Sequence, residues 1–153
     1  MDGTEDITAT ADRRAWMGLL ARARPDALAA CAAALGEMPQ ADWLRPPETG
    51  AVMVRGRMGG TGAPFNLGEM TVTRCALRLA TGEVGHACVQ GRDRAHARRA
   101  ALCDALLQGG RADEVRRVVL DPLAGAEADR RASRAGKAAA TKVDFFTLAR
   151  GED

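Results

Sequence analysis

Apolar side chains at Trp16, Leu19, Leu20 and Ala23 fall at i, i+3, i+4 and i+7, the stripe of an amphipathic helix. Pro25 ends that stripe and suits the first turn of a second helix. There Leu28, Cys31, Ala32 and Leu35 repeat the pattern, and Gly36 supplies a C-terminal stop. The chain is therefore predicted to open with a helical hairpin. The stretch MPQADWLRPPETG reads next as a loop, because Pro46 and Pro47 force extended backbone.

The period then changes from helical to twofold. AVMVRGRM is a short β-rich run, and EMTVTRCALRLA alternates from Thr71 to Leu79. Thr71, Thr73, Cys75, Leu77 and Leu79 share one predicted face; Val72, Arg74, Ala76 and Arg78 share the other. Thr81-Gly82 marks a turn, and EVGHACVQG is the matching hairpin strand. Asp93 is placed to N-cap a helix running to about Gln108 and closed by Gly109-Gly110. Its predicted stripe is His96, Ala100, Cys103 and Leu107, with Leu102 and Leu106 beside it.

Beyond it, ADEVRRVVLDPL predicts a short helix stopped before Pro122. Residues 124–140 have helical propensity but no large apolar stripe. Ala128, Ala132, Ala135 and Ala139 form a small-residue seam instead, suited to close packing or to a partner. The end, KVDFFTLARGED, returns to β character with two of the three phenylalanines, and is expected to dock as a C-terminal strand. The sum is an α+β fold: an N-terminal helical hairpin, a small antiparallel sheet, further helices and a C-terminal strand. Residues 1–13 read as a polar tail and 14–151 as a single domain.

Composition narrows the class. At 153 residues one domain with a real core is expected, and 46% hydrophobic with 27% charged residues fits a globular chain. A net charge of +2 is too mild for a dedicated nucleic-acid binder. The sheet predicted over 70–90 also lacks the aromatic platform such binders use. Neither a secretory leader nor a membrane-length apolar run is present, so a cytoplasmic protein without membrane or nucleic-acid partners is expected. Cys31, Cys75, Cys88 and Cys103 have no CxxC spacing, which argues against zinc or iron–sulfur ligation and for buried free thiols.

The candidate chemistry concentrates in RGRMGGTG. Gly59, Gly60 and Gly62 let backbone N–H groups converge on an anion, and Arg55 and Arg57 add charge-assisted donors for phosphate or phosphonate oxygens. No Lys-Ser or Lys-Thr follows, and no helix, so neither a P-loop nor a dinucleotide fingerprint is formed. A glycine-rich connection between strands explains the same residues. Arg74 and Arg78 share a strand face and either extend a basic surface or line a solvated one. Glu48 and Glu69 flank the loop as possible partners of its arginines. Gln90, Arg92 and Asp93 sit at a strand-to-helix junction where free amides favour anions. His86 and His96 have no ligand spacing of their own, so no metal site is predicted.

Taken in order, ETG (48–50), RMGGTG (57–62), TR (73–74), VQGRD (89–93) and VDFFT (143–147) resemble the PhnG family, the G subunit of the bacterial carbon–phosphorus lyase system. The resemblance runs from about Arg14 to Gly151. It implies a subunit of a soluble core complex with PhnH-, PhnI- and PhnJ-type partners. With a PhnL-type component, the G, H and I subunits convert ATP and an alkylphosphonate to ribose 1-alkylphosphonate 5-triphosphate, releasing adenine. ATP is then a substrate of the complex, and no cofactor is assigned to this chain. The PhnI-type partner is nucleosidase-like and the PhnJ-type partner is the radical enzyme. This chain departs from the family in having Ala97-Arg98-Arg99 after His96, where an acidic residue is expected. Two readings stay open: an accessory subunit that supports its partners, or one lending Arg55, Arg57 and the glycine amides to a shared active site.

Overall fold

The computed structural model describes residues 3–141 of the chain. Helix α1 (Gly3–Arg22) and helix α2 (Pro25–Ala34) form the helical hairpin, with Pro25 in the first turn of α2. Helix α1 begins well before the apolar stripe that reveals it. Strands β1 (Ala41–Arg57), β2 (Pro64–Leu79) and β3 (Val84–Gln90) make one antiparallel sheet in the order β1-β2-β3. Helix α3 (Arg94–Leu106) follows. A short α4 (Ala112–Val115) then runs through one wide π turn, Arg116–Leu120, into α5 (Asp121–Ala140). The architecture is α+β, as the periodicities predict. The expected C-terminal strand in KVDFFTLARGED, residues 142–153, lies outside the described residues.

Alternation along β2 sorts the sheet into two faces. Thr73, Cys75, Leu77 and Leu79 are buried, and Ala87 and Val89 of β3 join them beneath α3. Arg74, Arg78, His86 and Cys88 point outward and are exposed. Val72 and Ala76 belong to the outward face by alternation, yet both are buried. Val72 borders a depression shared with Ala23 and Pro25 at the α1–α2 junction, and Ala76 is a small residue between Arg45 and His86.

The loop expected over 38–50 is largely strand. Residues Ala41–Gly50 pair with Val72–Leu79, and the register shifts between Arg45 and Glu48, where Pro46 and Pro47 sit. A proline cannot donate to a ladder, but β1 is an edge strand and a bulge removes the need. The helix expected to stop before Pro122 instead continues through it into α5. The wide turn immediately upstream loosens the backbone where a proline ring would otherwise press on the preceding turn.

The core is built from small residues held very close. Ala97, Ala101, Cys103 and Ala105 of α3 are fully buried. At Gly85 a Cβ would lie only 1.9 Å from the Ala101 carbonyl oxygen, so only glycine lets α3 sit this near β3.

Charge fixes the third side of this core. The Asp104 carboxylate is completely buried. It accepts from Arg13 Nη2 at 2.8 Å, Arg13 Nε at 3.2 Å, Trp16 Nε1 at 2.8 Å and the His86 backbone N–H at 2.9 Å. Arg13 also donates to the Val84 carbonyl at 3.0 Å, so α1 closes the outer edge of β3. Arg116 lies over the face of the Trp16 ring, 5.2 Å from its centroid.

Asp104→Asn removes the charge and presents an amide donor to donors, and is expected to destabilise the fold by about 3 kcal/mol. Gly85→Ala is expected to cost about 3 kcal/mol by overpacking against backbone. Urea unfolding followed by circular dichroism checks both; an unchanged midpoint for either would contradict the role given to it.

Candidate functional site

The glycine segment is the tip of a long hairpin. Met58–Gly60 forms a single 3-10 turn between β1 and β2, with φ of 59° at Gly59 and 80° at Gly60. Those left-handed values suit glycine and explain the pair. The turn closes with the Gly62 N–H donating to the Met58 carbonyl at 2.9 Å, and Arg57 Nη1 donates to the Gly62 carbonyl at 3.0 Å. Arg57 is thus tied down as a strut of the turn. Arg55 is exposed and makes no ion pair among the described residues.

The other nominated groups do not converge on this tip. Arg74 lies ten positions further along β2 than Pro64, about 33 Å away at the rise of a strand. It faces out beside Gly50, with Glu48 across the pair. Glu48 binds Arg45 at 2.9 Å rather than a loop arginine. Glu69 stands opposite Met53 on the hairpin and makes no ion pair among the described residues. Arg78 is exposed near the far end of β2, opposite Asp42.

At the β3–α3 junction, Asp93 caps α3 by accepting from the His96 N–H at 2.8 Å. The helix N-terminus expected to favour an external anion is therefore served by the chain's own carboxylate. Arg92, just before it, is exposed. The histidines part company: His86 is on the outward face, whereas His96 is buried with Nε2 2.8 Å from the Leu20 carbonyl oxygen. A carbonyl can only accept, so Nε2 carries a proton and His96 joins α3 to α1. Among the described residues no three His, Cys, Asp or Glu side chains gather as a metal set.

His96 also borders a depression of about 450 Å³ with Val52, Met70, Val72, Cys88 and Gln90. None of the nominated arginines lines it. Sequence reasoning missed Arg13, Trp16 and Asp104 as one cluster. Their separation along the chain hides it, and a lone aspartate in an apolar helix stripe was the available signal.

The cysteines are free, but not uniformly buried: Cys75 and Cys103 are buried, Cys31 half-buried and Cys88 exposed on the sheet. Burial pushes the Cys75 thiol up to about 11. The Cys103 thiol is pushed to about 12, mostly by burial and further by Cys31 and Asp104. Near neutral pH both stay protonated and inert.

The family model described as "Phosphonate metabolism protein PhnG" matches residues 11–151. A relative from Rhizobium meliloti (strain 1021), alpha-D-ribose 1-methylphosphonate 5-triphosphate synthase subunit PhnG, is 48% identical over 151 residues, spanning 98% of this chain and 96% of the relative.

Two outcomes test the cysteine chemistry. Iodoacetamide at mildly alkaline pH is expected to modify Cys88 first, with Cys75 and Cys103 reacting only on unfolding, as peptide mass mapping would show. The unfolded chain releases these thiol protons near the ordinary value of 9.0, while the folded chain retains them to about 11 and 12. Their contribution to stability is thus present below that value and is lost as pH rises through the folded values. A urea midpoint that rises between pH 9 and pH 11 would contradict this. The RMGGTG tip, the VQGRD junction and the nearly full-length match identify the chain as a member of the PhnG family.

Proposed function

We propose that this chain is a subunit of an α-D-ribose 1-methylphosphonate 5-triphosphate synthase in organic phosphonate catabolism, and that its part is to organise the partners. The observation that carries this reading is the 48% identity along almost the whole of a relative named as that subunit. The partners are a nucleosidase-like PhnI-type subunit together with PhnH- and PhnJ-type subunits, with a PhnL-type component joining for the reaction. ATP and an alkylphosphonate are substrates of the assembly, which works in the cytoplasm; this chain holds no cofactor of its own.

The geometry supports an organising part. His86 is exposed on the sheet while His96 is buried against α1, Asp93 occupies its own helix end, and Arg57 braces a turn. The hairpin also exposes large apolar side chains beside its polar ones: Leu67 is 66% exposed and Met58 77%. Side chains of that kind, grouped on a projecting element, belong to a protein–protein contact.

A second reading rests on Arg55, an exposed arginine near the tip with neither an ion pair nor a side-chain hydrogen bond among the described residues. In it Arg55, Arg57 and the glycine amides reach into a partner's active site and hold phosphate or phosphonate oxygens while the anomeric carbon is displaced.

Reconstitution decides between them. Adenine release from ATP and methylphosphonate, followed by chromatography, is expected to require this chain, and unchanged release in its absence would remove the reading. Arg55→Ala is expected to leave both assembly and turnover near the wild-type level. A fall in turnover of about a hundredfold with assembly intact would instead favour the shared site.

A further inference from the structure

The sheet is uneven in a way that leaves one strand position without an occupant among the described residues. Strand β3 pairs with β2 only over Val72–Arg78. The Gly91 N–H donates to the Thr71 carbonyl at 2.9 Å, and there the third strand ends. Strands β1 and β2 continue as a pair to Arg57 and Pro64. Beyond Thr71 the structure is therefore a two-stranded ribbon whose β2 edge, Pro64–Met70, has no neighbour among the described residues. At about 3.3 Å per residue that edge is roughly 23 Å long. An isolated pair of strands is marginally stable in water, and an open edge is a template for another strand.

One face of the ribbon is apolar. Val52 stands opposite Met70, and Gly56 opposite Phe65. A Cβ on Gly56 would lie 3.8 Å from Leu67 and 3.9 Å from Phe65, which puts both on the face that Val52, Val54 and Gly56 share by alternation. The register shift between Val54 and Arg55 leaves Leu67 without an opposite residue, adding apolar surface beside the open edge. Phe65 remains 42% exposed, and Met70 borders the depression that leads back to Pro25.

Charge marks both ends of the vacancy. Arg92 comes two residues after β3 stops, and Arg57 is fixed by its bond to Gly62 where the ribbon turns. Both are exposed, and neither makes an ion pair among the described residues.

We infer that an extended segment of another synthase subunit takes the empty position beside β2, in line with β3. The segment is about seven residues long, alternates apolar side chains over the Phe65–Leu67–Met70 face, and carries carboxylates that meet Arg92 and Arg57. Backbone pairing supplies the adhesion and the apolar face sets the register. The inference rests on the subunit reading and deepens it by naming the surface and the chemistry of what covers it.

The test uses the full chain with its co-expressed synthase subunits. Hydrogen exchange of the wild-type assembly is expected to slow at the amides of residues 65–70 relative to the free chain. Leu67→Glu places a carboxylate on the apolar face and is expected to weaken assembly at least roughly tenfold by titration calorimetry. Circular dichroism of the free variant should match the wild type; if the variant unfolds, the exchange result on wild type decides alone. If wild type itself fails to assemble, the subunit reading falls and this inference with it. If wild type assembles but residues 65–70 gain no protection, this inference fails while the subunit reading stands. Two results would overturn the choice of partner: a free chain that dimerises through the same amides, with a mass that halves in Leu67→Glu, or a free chain in which these amides are already protected and lose that protection when residues 142–153 are removed.

Discussion

The buried carboxylate of Asp104 is the constraint on which the rest of the molecule depends. It sits on α3, takes three donors from two side chains of α1, and takes a fourth from the backbone of β3. A charge in that position is tolerable only because every approach to it ends in an N–H group. The same bonds set where α1 crosses the sheet and which edge of the sheet it covers. With α1 and α3 both bonded to the outer edge of β3, the strand edges left open among the described residues are the outer edge of β1 and the unpaired length of β2.

Packing around that anchor explains why the core manages with so few large side chains. Alanines and Cys103 on α3 meet Gly85, Ala87 and Val89 on β3, and closeness substitutes for bulk. Such an interface is intolerant of added atoms, and it holds α3 so firmly that its first turn becomes a fixed reference. Asp93 and His96 occupy that turn, and their bonds to backbone account for both side chains without any ligand. Thr73 performs a similar service just upstream, where β3 ends. Its hydroxyl donates to the Gly91 carbonyl at 2.8 Å and lies 3.4 Å from the Thr49 hydroxyl, where the three-stranded region gives way to the ribbon.

The hairpin and α5 leave this body in contrasting ways. The ribbon carries exposed apolar side chains on backbone that is only half paired. Helix α5 is held near its start by Leu123 and by Glu127, which bridges Arg22 and Arg131. From Arg131 to Ala140 every residue of α5 is exposed, including Ala132, Ala135 and Ala139 of the small-residue seam. The seam is thus an outward feature and not a packing surface within the described residues. A compact anchor with two outward elements is the geometry expected of a chain whose remaining burial comes from other subunits.

Local rules determined much of this protein from sequence alone. The helical hairpin, the faces of β2, the Thr81-Gly82 turn and the Asp93 cap were legible because each depends on neighbours within a few residues. The order of short motifs also carried the family, and two of them fall at the hairpin tip and at the β3–α3 junction. Tertiary structure alone decided the rest. Pro46 and Pro47 look like a loop until an edge position and a bulge make their missing donors harmless. Arg55, Arg74 and Arg78 look like one basic surface until strand length sets Arg55 apart, and Asp104 looks like an ordinary helix residue until α1 arrives. Whether a charged group binds a ligand, braces a turn or anchors a core depends on what the folded chain brings within about 3 Å of it. For the donors that meet Asp104, which come from far along the chain, no local pattern records that.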